Sequence, residues 1–121
     1  MNQKELLFQL KRTDSLDTIQ DYIRQVINIR GFGQQPIEQE LLLLTEEIGE
    51  LNKAIRKDKT NMAIDNKKIK NYGSIEEEIA DIFIVLTSIC NTLNINLYDA
   101  IIEKEQINIK RNWTNNNKNS N

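Results

Sequence analysis

Two pairs of acidic residues, each with members three positions apart, are the clearest chemical feature of the sequence. Glu47 and Glu50 form the first pair, and Glu78 and Asp81 form the second. On a helix, residues three apart share a flank, and both pairs border stripes of apolar residues that point toward a core. If the two helices pack antiparallel across that core, the four carboxylates converge. Their mutual repulsion is then tolerable when a divalent cation neutralises it.

The sequence of 121 residues contains no histidine. This absence excludes Ser-His-Asp and Cys-His triads, HExxH zinc sites and the histidine ligands of di-iron bundles. The single cysteine, Cys90, lies in an apolar run, where a buried small side chain is expected rather than a thiolate site. Any metal must therefore be held by oxygen, which favours Mg²⁺, with Mn²⁺ able to replace it.

An ordinary interpretation of these acids also exists. A single Glu-x-x-Glu segment is most often part of a solvated helix face, and Glu78 lies in a first turn, where the helix dipole favours acidic residues. Asp81 is harder to explain in this way. It lies in the second turn between Ala80 and Ile82, where the dipole contributes little and an apolar residue is expected.

Basic and amide side chains follow near the carboxyl end of the chain. Lys104, Asn108 and Arg111 continue an apolar stripe that begins with Leu97 and Ile101, at spacings of four, three, four and three. Such a face changes from apolar to phosphate-binding chemistry along its length. Equally, Lys104 and Arg111 suit the carboxyl end of a helix, where cations are favoured without any ligand.

The apolar spacing of three and four, with only four glycines and one proline, predicts an all-α fold of four to five helices in a bundle. We expect one domain over residues 1–113 and a disordered polar tail over 114–121. The lysine-rich connection at 58–73 is long for a bundle, hence mobile or functional. The predicted helices cover about 3–12, 14–30, 36–57, 74–93 and 97–113.

The charge balance restricts the partners. With 16 basic and 18 acidic side chains, the protein offers no electrostatic footprint for a nucleic-acid polymer. The first thirty residues carry charges throughout, and no apolar stretch has membrane length. These features predict a cytoplasmic protein.

The segment Glu46-Glu47-Ile48-Gly49-Glu50-Leu51, followed by Glu78-Ile79-Ala80-Asp81, resembles the EExxE…ExxD signature of MazG-like all-α nucleotide pyrophosphohydrolases. Dimeric dUTPases, dCTP pyrophosphatases and phosphoribosyl-ATP pyrophosphohydrolases share this signature. Lys104, Asn108, Arg111 and Trp113 are similar to the lysine and asparagine element that those enzymes use on the triphosphate. The resemblance covers residues 15–113, although the connection at 58–73 is longer and more basic than the family needs.

The resemblance implies Mg²⁺-dependent hydrolysis of a nucleoside or deoxynucleoside triphosphate between its α and β phosphates, in a homodimer or a dimer of dimers with each site near a subunit boundary. It implies Glu47, Glu50, Glu78 and Asp81 as metal ligands. Glu46, beside the catalytic Glu47 and Glu50, becomes a candidate to orient or deprotonate the attacking water. The same resemblance, together with the charge pattern, implies Lys104, Asn108 and Arg111 as the substrate-binding residues.

Two alternatives stay open on the sequence. One is a non-catalytic helical interaction or regulatory module that keeps the same bundle. This alternative is favoured if Asp81 points to solvent. The other is a hydrolase that cuts a nucleotide sugar or a modified nucleotide. The sequence does not define a base pocket. The side chains available for base contact are Tyr22, Arg30, Phe32 and Trp113.

Overall fold

The computed structural model describes residues 1–68 and 71–114. Over these residues the chain forms helices without any strand, so the predicted all-α fold is confirmed. The predicted tail lies outside the described residues, apart from Thr114. The helices are α1 (Gln3–Gln9), α2 (Leu16–Ile29), α3 (Ile37–Lys59), α4 (Ile75–Thr92) and α5 (Leu97–Ile109).

Polar caps fix where four of the helices begin. Asn2, Ser15, Ser74 and Asn96 each accept a backbone N–H of the first turn through the side-chain oxygen. Such caps satisfy one of the amides that a helix leaves without a partner. Before α4, Ser74 Oγ accepts the N–H of Glu77 at 3.1 Å.

Helices α3 and α4 pack antiparallel, as their contacts at two levels show. Ser88 Oγ on α4 donates to Glu40 Oε1 on α3 at 2.8 Å. Seven residues further along α3, the carboxylate of Glu47 lies beside that of Asp81, seven residues earlier on α4. The two levels are therefore two helical turns apart, about 10 Å along the helix axes.

Helix α2 packs against α4 and holds the turn between α4 and α5. Gln20 is buried, and its Nε2 donates to the carbonyl of Ile95 at 2.8 Å. Its Oε1 accepts the N–H of Leu97 at 3.0 Å. These bonds place α5 against α2. Cys90 is buried in this region, as the sequence predicts.

Three predicted helix ends are wrong by a turn or less. The leading helix ends at Gln9 rather than at 12, since Leu10 is extended. Pro36 immediately precedes α3 instead of lying in its first turn. The last helix ends at Ile109 rather than at Trp113, because the Trp113 indole folds back and donates to the Asn108 carbonyl at 2.9 Å.

Much apolar surface stays exposed. On α3, only part of the predicted stripe is covered: Leu41, Ile48 and Ile55, seven residues apart, remain 50, 45 and 37% exposed. Helix α5 buries none of its residues. We define the open apolar face as seven exposed apolar residues on α3, on α4 and at the C-cap of α4, which are Leu41, Ile48, Ile55, Ile79, Phe83, Leu86 and Leu93.

Within the described ranges, none of the helices is by itself long and apolar enough to cross a bilayer. Only α4 and α5 taken together reach the required length and hydropathy, and they meet at an angle of 98°.

Candidate functional site

Three of the four predicted acids meet between α3 and α4. One carboxylate oxygen from each of Glu47, Glu78 and Asp81 lies within 4.8 Å of the other two. Glu78 is buried and Glu47 is half-buried. Asp81 is exposed as a residue, but its carboxylate oxygen is part of the same group. We call these three residues the acidic cluster.

The acidic cluster is electrostatically strained. Burial raises the pKa of Glu47 above its ordinary value of 4.5, and the charges of Asp81 and Glu78 raise it further. Burial also raises the pKa of Glu78, and the charges of Asp81 and Glu50 raise it further. A hydrogen bond with Glu47 lowers the pKa of Glu78. Like charges held together in this way favour either a shared proton or a bound cation.

Gly73 makes room for the buried carboxylate of the cluster. A Cβ at this position collides with the Glu78 side-chain oxygen. A larger residue at this position therefore requires the Glu78 carboxylate to shift. The sequence shows Gly73 only as the residue before a helix cap, since nothing in a local pattern reveals that a distant side chain needs its space.

The residues of the acidic cluster suit a hard divalent cation. All three offer carboxylate oxygen, which Mg²⁺ and Mn²⁺ prefer, and the chain has no histidine to compete for the site. Among the described residues, none of the three forms an ion pair with a lysine or arginine. The negative charge of the cluster is thus left for a cation to balance.

The remaining predicted acids lie beside the cluster. Glu50, one turn after Glu47 on α3, is near enough for its charge to raise the pKa of Glu78. Its Oε1 lies 3.4 Å from Lys53 Nζ in an exposed ion pair, which contributes little to stability. Glu46 is exposed on α3.

A hollow of about 300 Å³ opens on one side of the acidic cluster, and we call it the apolar hollow. Glu47 and Asp81 lie at one part of its wall, and Glu40 with Ser88 at another. Of the four side chains considered for base contact, Arg30 and Phe32 line it, whereas Tyr22 and Trp113 do not. Its apolar wall is made by Ile27, Phe32, Leu43, Ile84 and Val85.

Glu40 is a residue that the sequence interpretation missed. It is 3% exposed, and its Oε2 has no hydrogen-bond partner, while Oε1 accepts from Ser88. A buried carboxylate oxygen without a donor is costly, which is common at functional sites. The sequence feature that could have revealed Glu40 is its position seven residues before Glu47, which places both residues on one side of α3.

A second hollow, of about 500 Å³, has Glu50 in its wall. We call it the cationic hollow. The connection between α3 and α4 forms part of it, so this segment packs against α3. Arg56 Nη2 lies 3.3 Å from the Tyr72 hydroxyl. Lys53 Nζ lies 6.0 Å from the centre of the Tyr72 ring. The hollow is lined by Glu50, Lys53, Arg56, Asp65, Lys68, Asn71 and Tyr72.

The predicted residues of α5 line neither hollow. Lys104 is exposed, and Asn108 Nδ2 donates to Glu105 Oε2 at 2.6 Å. Arg111 stacks on the Trp113 ring, with 5.9 Å between the guanidinium carbon and the ring centre. Within one chain, α5 lies along α2 instead of facing the acidic cluster.

These features define an all-α protein whose two antiparallel central helices hold a carboxylate cluster between an apolar and a cationic hollow. The chain belongs to the MazG nucleotide pyrophosphohydrolase family, because the model of the MazG nucleotide pyrophosphohydrolase domain matches residues 35–111. The matched span contains every predicted acid. The family resemblance read from the motifs is thereby confirmed, and the family supports nucleotide pyrophosphohydrolase activity.

A solved structure supports the fold. The protein YPJD from Bacillus subtilis, described as a candidate pyrophosphatase, is similar with a TM-score of 0.70 and 24% sequence identity. The alignment covers 84% of this chain and 100% of the other. No curated protein matches the chain.

Proposed function

We propose that this protein hydrolyses a nucleoside or deoxynucleoside triphosphate between its α and β phosphates, with Mg²⁺, to a monophosphate and pyrophosphate. The observation that carries the proposal is the convergence of Glu47, Glu78 and Asp81 in a chain of the MazG family. The cluster lies where an apolar hollow and a cationic hollow approach each other along α3. A base, a reacting phosphate and a charged leaving group require three such environments in this order.

Glu47, Glu78 and Asp81 would hold the metal, and Glu50 would join them by turning away from Lys53. A bound Mg²⁺ supplies Lewis-acid polarisation of the phosphoryl group and lowers the pKa of a water molecule. The raised pKa values of Glu47 and Glu78 mean that the chain itself disfavours full ionisation of the cluster. Cation binding relieves this repulsion.

Glu46 is the proposed residue that orients the attacking water. It is exposed on α3, directly before Glu47 and one turn before Glu50. A carboxylate in this position approaches the reacting phosphate from the solvent side and accepts a proton from the water that attacks it.

The apolar hollow is the proposed site of the base. Phe32 offers an aromatic side chain, and Ile84 and Val85 contribute apolar surface to the same hollow. The volume of about 300 Å³ is at the lower end of the range for small-ligand pockets, which suits a base and sugar whose phosphates lie outside.

We further propose that the protein works as a homodimer or homotetramer. The open apolar face supports this, because a small protein that exposes many large apolar residues often buries them in an interface. In such an assembly, Lys104, Asn108 and Arg111 would contact the phosphates of a site across a subunit boundary. Lys104 on α5 and Arg111 just after it are exposed and therefore accessible for that role, whereas Asn108 is half-buried.

A panel of nucleoside triphosphates with Mg²⁺, with both products identified, tests the proposed reaction. We expect equimolar monophosphate and pyrophosphate from at least one canonical or damaged nucleotide. Addition of EDTA should abolish the reaction, and Mn²⁺ should restore it. Release of orthophosphate alone would show a different reaction, and inactivity with every nucleotide and either metal would favour the non-catalytic interaction module.

A further inference from the structure

We propose that the cationic hollow binds the β- and γ-phosphates of the substrate, and afterwards the pyrophosphate product, through Lys53, Arg56 and Lys68. This inference rests on the proposed function, and it assigns the diphosphate end of the nucleotide to residues of α3 and of the connection that follows it. Neither the sequence motifs nor the family match assigns a role to these three residues.

The hollow is continuous with the acidic cluster. Glu50 lines it and also raises the pKa of Glu78 by its charge, so one carboxylate belongs to both regions. Lys53 and Arg56 follow Glu50 on α3 at steps of three residues. The distance along the axis from Glu47 to Arg56 is about 13 Å, which leaves room for two phosphates beyond the metal.

Two of the three cations of the hollow have no acidic partner among the described residues, whereas Lys53 pairs with Glu50. Arg56 is half-buried. Among residues 1–68 and 71–114, its Nε has no hydrogen-bond acceptor and its Nη2 hydrogen-bonds only with the uncharged Tyr72 hydroxyl. Among the described residues, neither Arg56 nor Lys68 forms an ion pair. A buried guanidinium N–H without an acceptor is costly, so an anion is the partner that this geometry lacks.

The acid that faces these cations is already engaged. Asp65 lines the same hollow, but its Oδ1 accepts the backbone N–H of Lys67 at 2.9 Å. Glu50 is the only other carboxylate of the lining, and the proposed metal would draw it toward Glu47 and Glu78. With Glu50 turned away, three cations outnumber one carboxylate, Asp65, around about 500 Å³, and Asn71 and Tyr72 complete the lining. This arrangement suits a compact polyanion, since a guanidinium binds phosphate oxygens in a fork and lysines add point charges.

The position of the hollow also explains why the α–β bond is the one that breaks. The apolar hollow lies on one side of the acidic cluster and the cationic hollow on the other. A nucleotide with its base in the first and its last two phosphates in the second places the α-phosphorus at the carboxylates. The leaving group is then held by residues that do not touch the attacked phosphate.

Calorimetric titration of the full chain with pyrophosphate in Mg²⁺ tests the inference without turnover. Arg56→Gln should weaken pyrophosphate binding by roughly tenfold or more, as expected for loss of charged hydrogen bonds. Lys53→Gln and Lys68→Gln should each weaken it by a smaller factor. The matched control Lys4→Gln, an exposed lysine of α1, should leave it unchanged. Because Lys53 and Lys68 are exposed, their variants remain informative even if Arg56→Gln fails to fold.

The monophosphate product provides an internal comparison. It lacks the β and γ phosphates, so its affinity should stay the same in all three hollow variants while pyrophosphate affinity falls. Equal weakening of both ligands would indicate a general loss of the site and would overturn the inference. Unchanged pyrophosphate binding in the hollow variants, with loss only in Lys104→Gln, would assign the phosphates to α5 and overturn it as well.

The outcomes separate this inference from the proposed function. A wild-type protein that releases pyrophosphate from a nucleotide, with hollow variants that bind pyrophosphate normally, disproves the inference alone. A wild-type protein that binds pyrophosphate through Arg56, but hydrolyses no nucleotide, disproves the proposed reaction and retains a diphosphate site.

Discussion

Asp81 carries its charge in the second turn of α4, where the helix dipole gives it little support. Its carboxylate lies near Glu47 and Glu78, so every close charge contributed by the cluster is repulsive. A chain retains such an arrangement when a ligand compensates for it. Exposure alone is therefore a poor guide to Asp81, since its residue is exposed while its oxygen faces two other acids.

Neutral replacement of Asp81 should separate function from folding. We expect Asp81→Asn to reduce turnover by a factor on the order of one hundred or more, because the proposed metal loses a charged ligand. Circular dichroism should remain helical, and the metal-free variant should melt no lower than wild type, since repulsion is removed. Glu76→Gln, on the exposed surface of the same helix, is the control and should keep full activity. A variant that unfolds would instead identify Asp81 as structural.

At the scale of the elements, the interface between α3 and α4 contains groups that attract each other and groups that repel each other. The buried bond from Ser88 to Glu40 and the packing around Ala54 stabilise the pair, whereas the acidic cluster opposes it two turns away. Local weakness next to a binding site is expected, because a site formed for a ligand is incomplete without it.

The cluster predicts how stability depends on pH. Glu47 and Glu78 have pKa values raised above 4.5 in the folded chain, so the folded state holds its protons more tightly than the unfolded state does. Their contribution is fully present below pH 4.5 and is lost as the pH rises through the raised values. Without metal, melting temperatures should therefore fall over this range, once the titration of other groups is subtracted.

Mg²⁺ should reverse this trend, because it binds the ionised carboxylates. The increase in melting temperature caused by Mg²⁺ should grow as the pH rises, and differential scanning fluorimetry measures both series. Glu47→Gln should lose most of the Mg²⁺ effect. A Mg²⁺ effect that is independent of pH, or one that persists in Glu47→Gln, would contradict the proposed metal site.

At the scale of the whole molecule, the single chain covers its apolar residues incompletely. The open apolar face runs along α3 and α4, and α5 contributes no buried residue. A domain of this size buries a limited fraction of its surface and often gains stability by association. The same association would bring a second copy of α5 near the phosphates.

Charge on the open apolar face should therefore separate the copies. We expect wild-type protein to elute as a dimer or tetramer in size-exclusion chromatography with light scattering, and Ile48→Glu to shift it toward the monomer. The variant should melt at a lower temperature, because an exposed glutamate cannot be buried without desolvation. Leu7→Glu, at a more exposed apolar residue on α1, is the control. A monomeric wild-type protein would refute the proposed assembly.

The sequence alone determined the chemistry of the ligands and most of the helices. The lack of histidine restricts metal ligands to oxygen, and the positions of Ser15 and Ser74 predict where α2 and α4 begin. These features are local, since caps and helix periodicity depend on residues a few positions apart. The acidic motif, being a short-range pattern as well, was sufficient to indicate the family.

Only the tertiary structure decided which of these groups meet. The register of α3 against α4 brings three acids within 4.8 Å and leaves Glu50 beside Lys53. The Gln20 contacts place α5 along α2, and the residues predicted from spacing to bind phosphate line neither hollow. Register and helix placement depend on contacts between residues far apart in the chain, such as Glu40 with Ser88, and spacing within one helix carries no information about them.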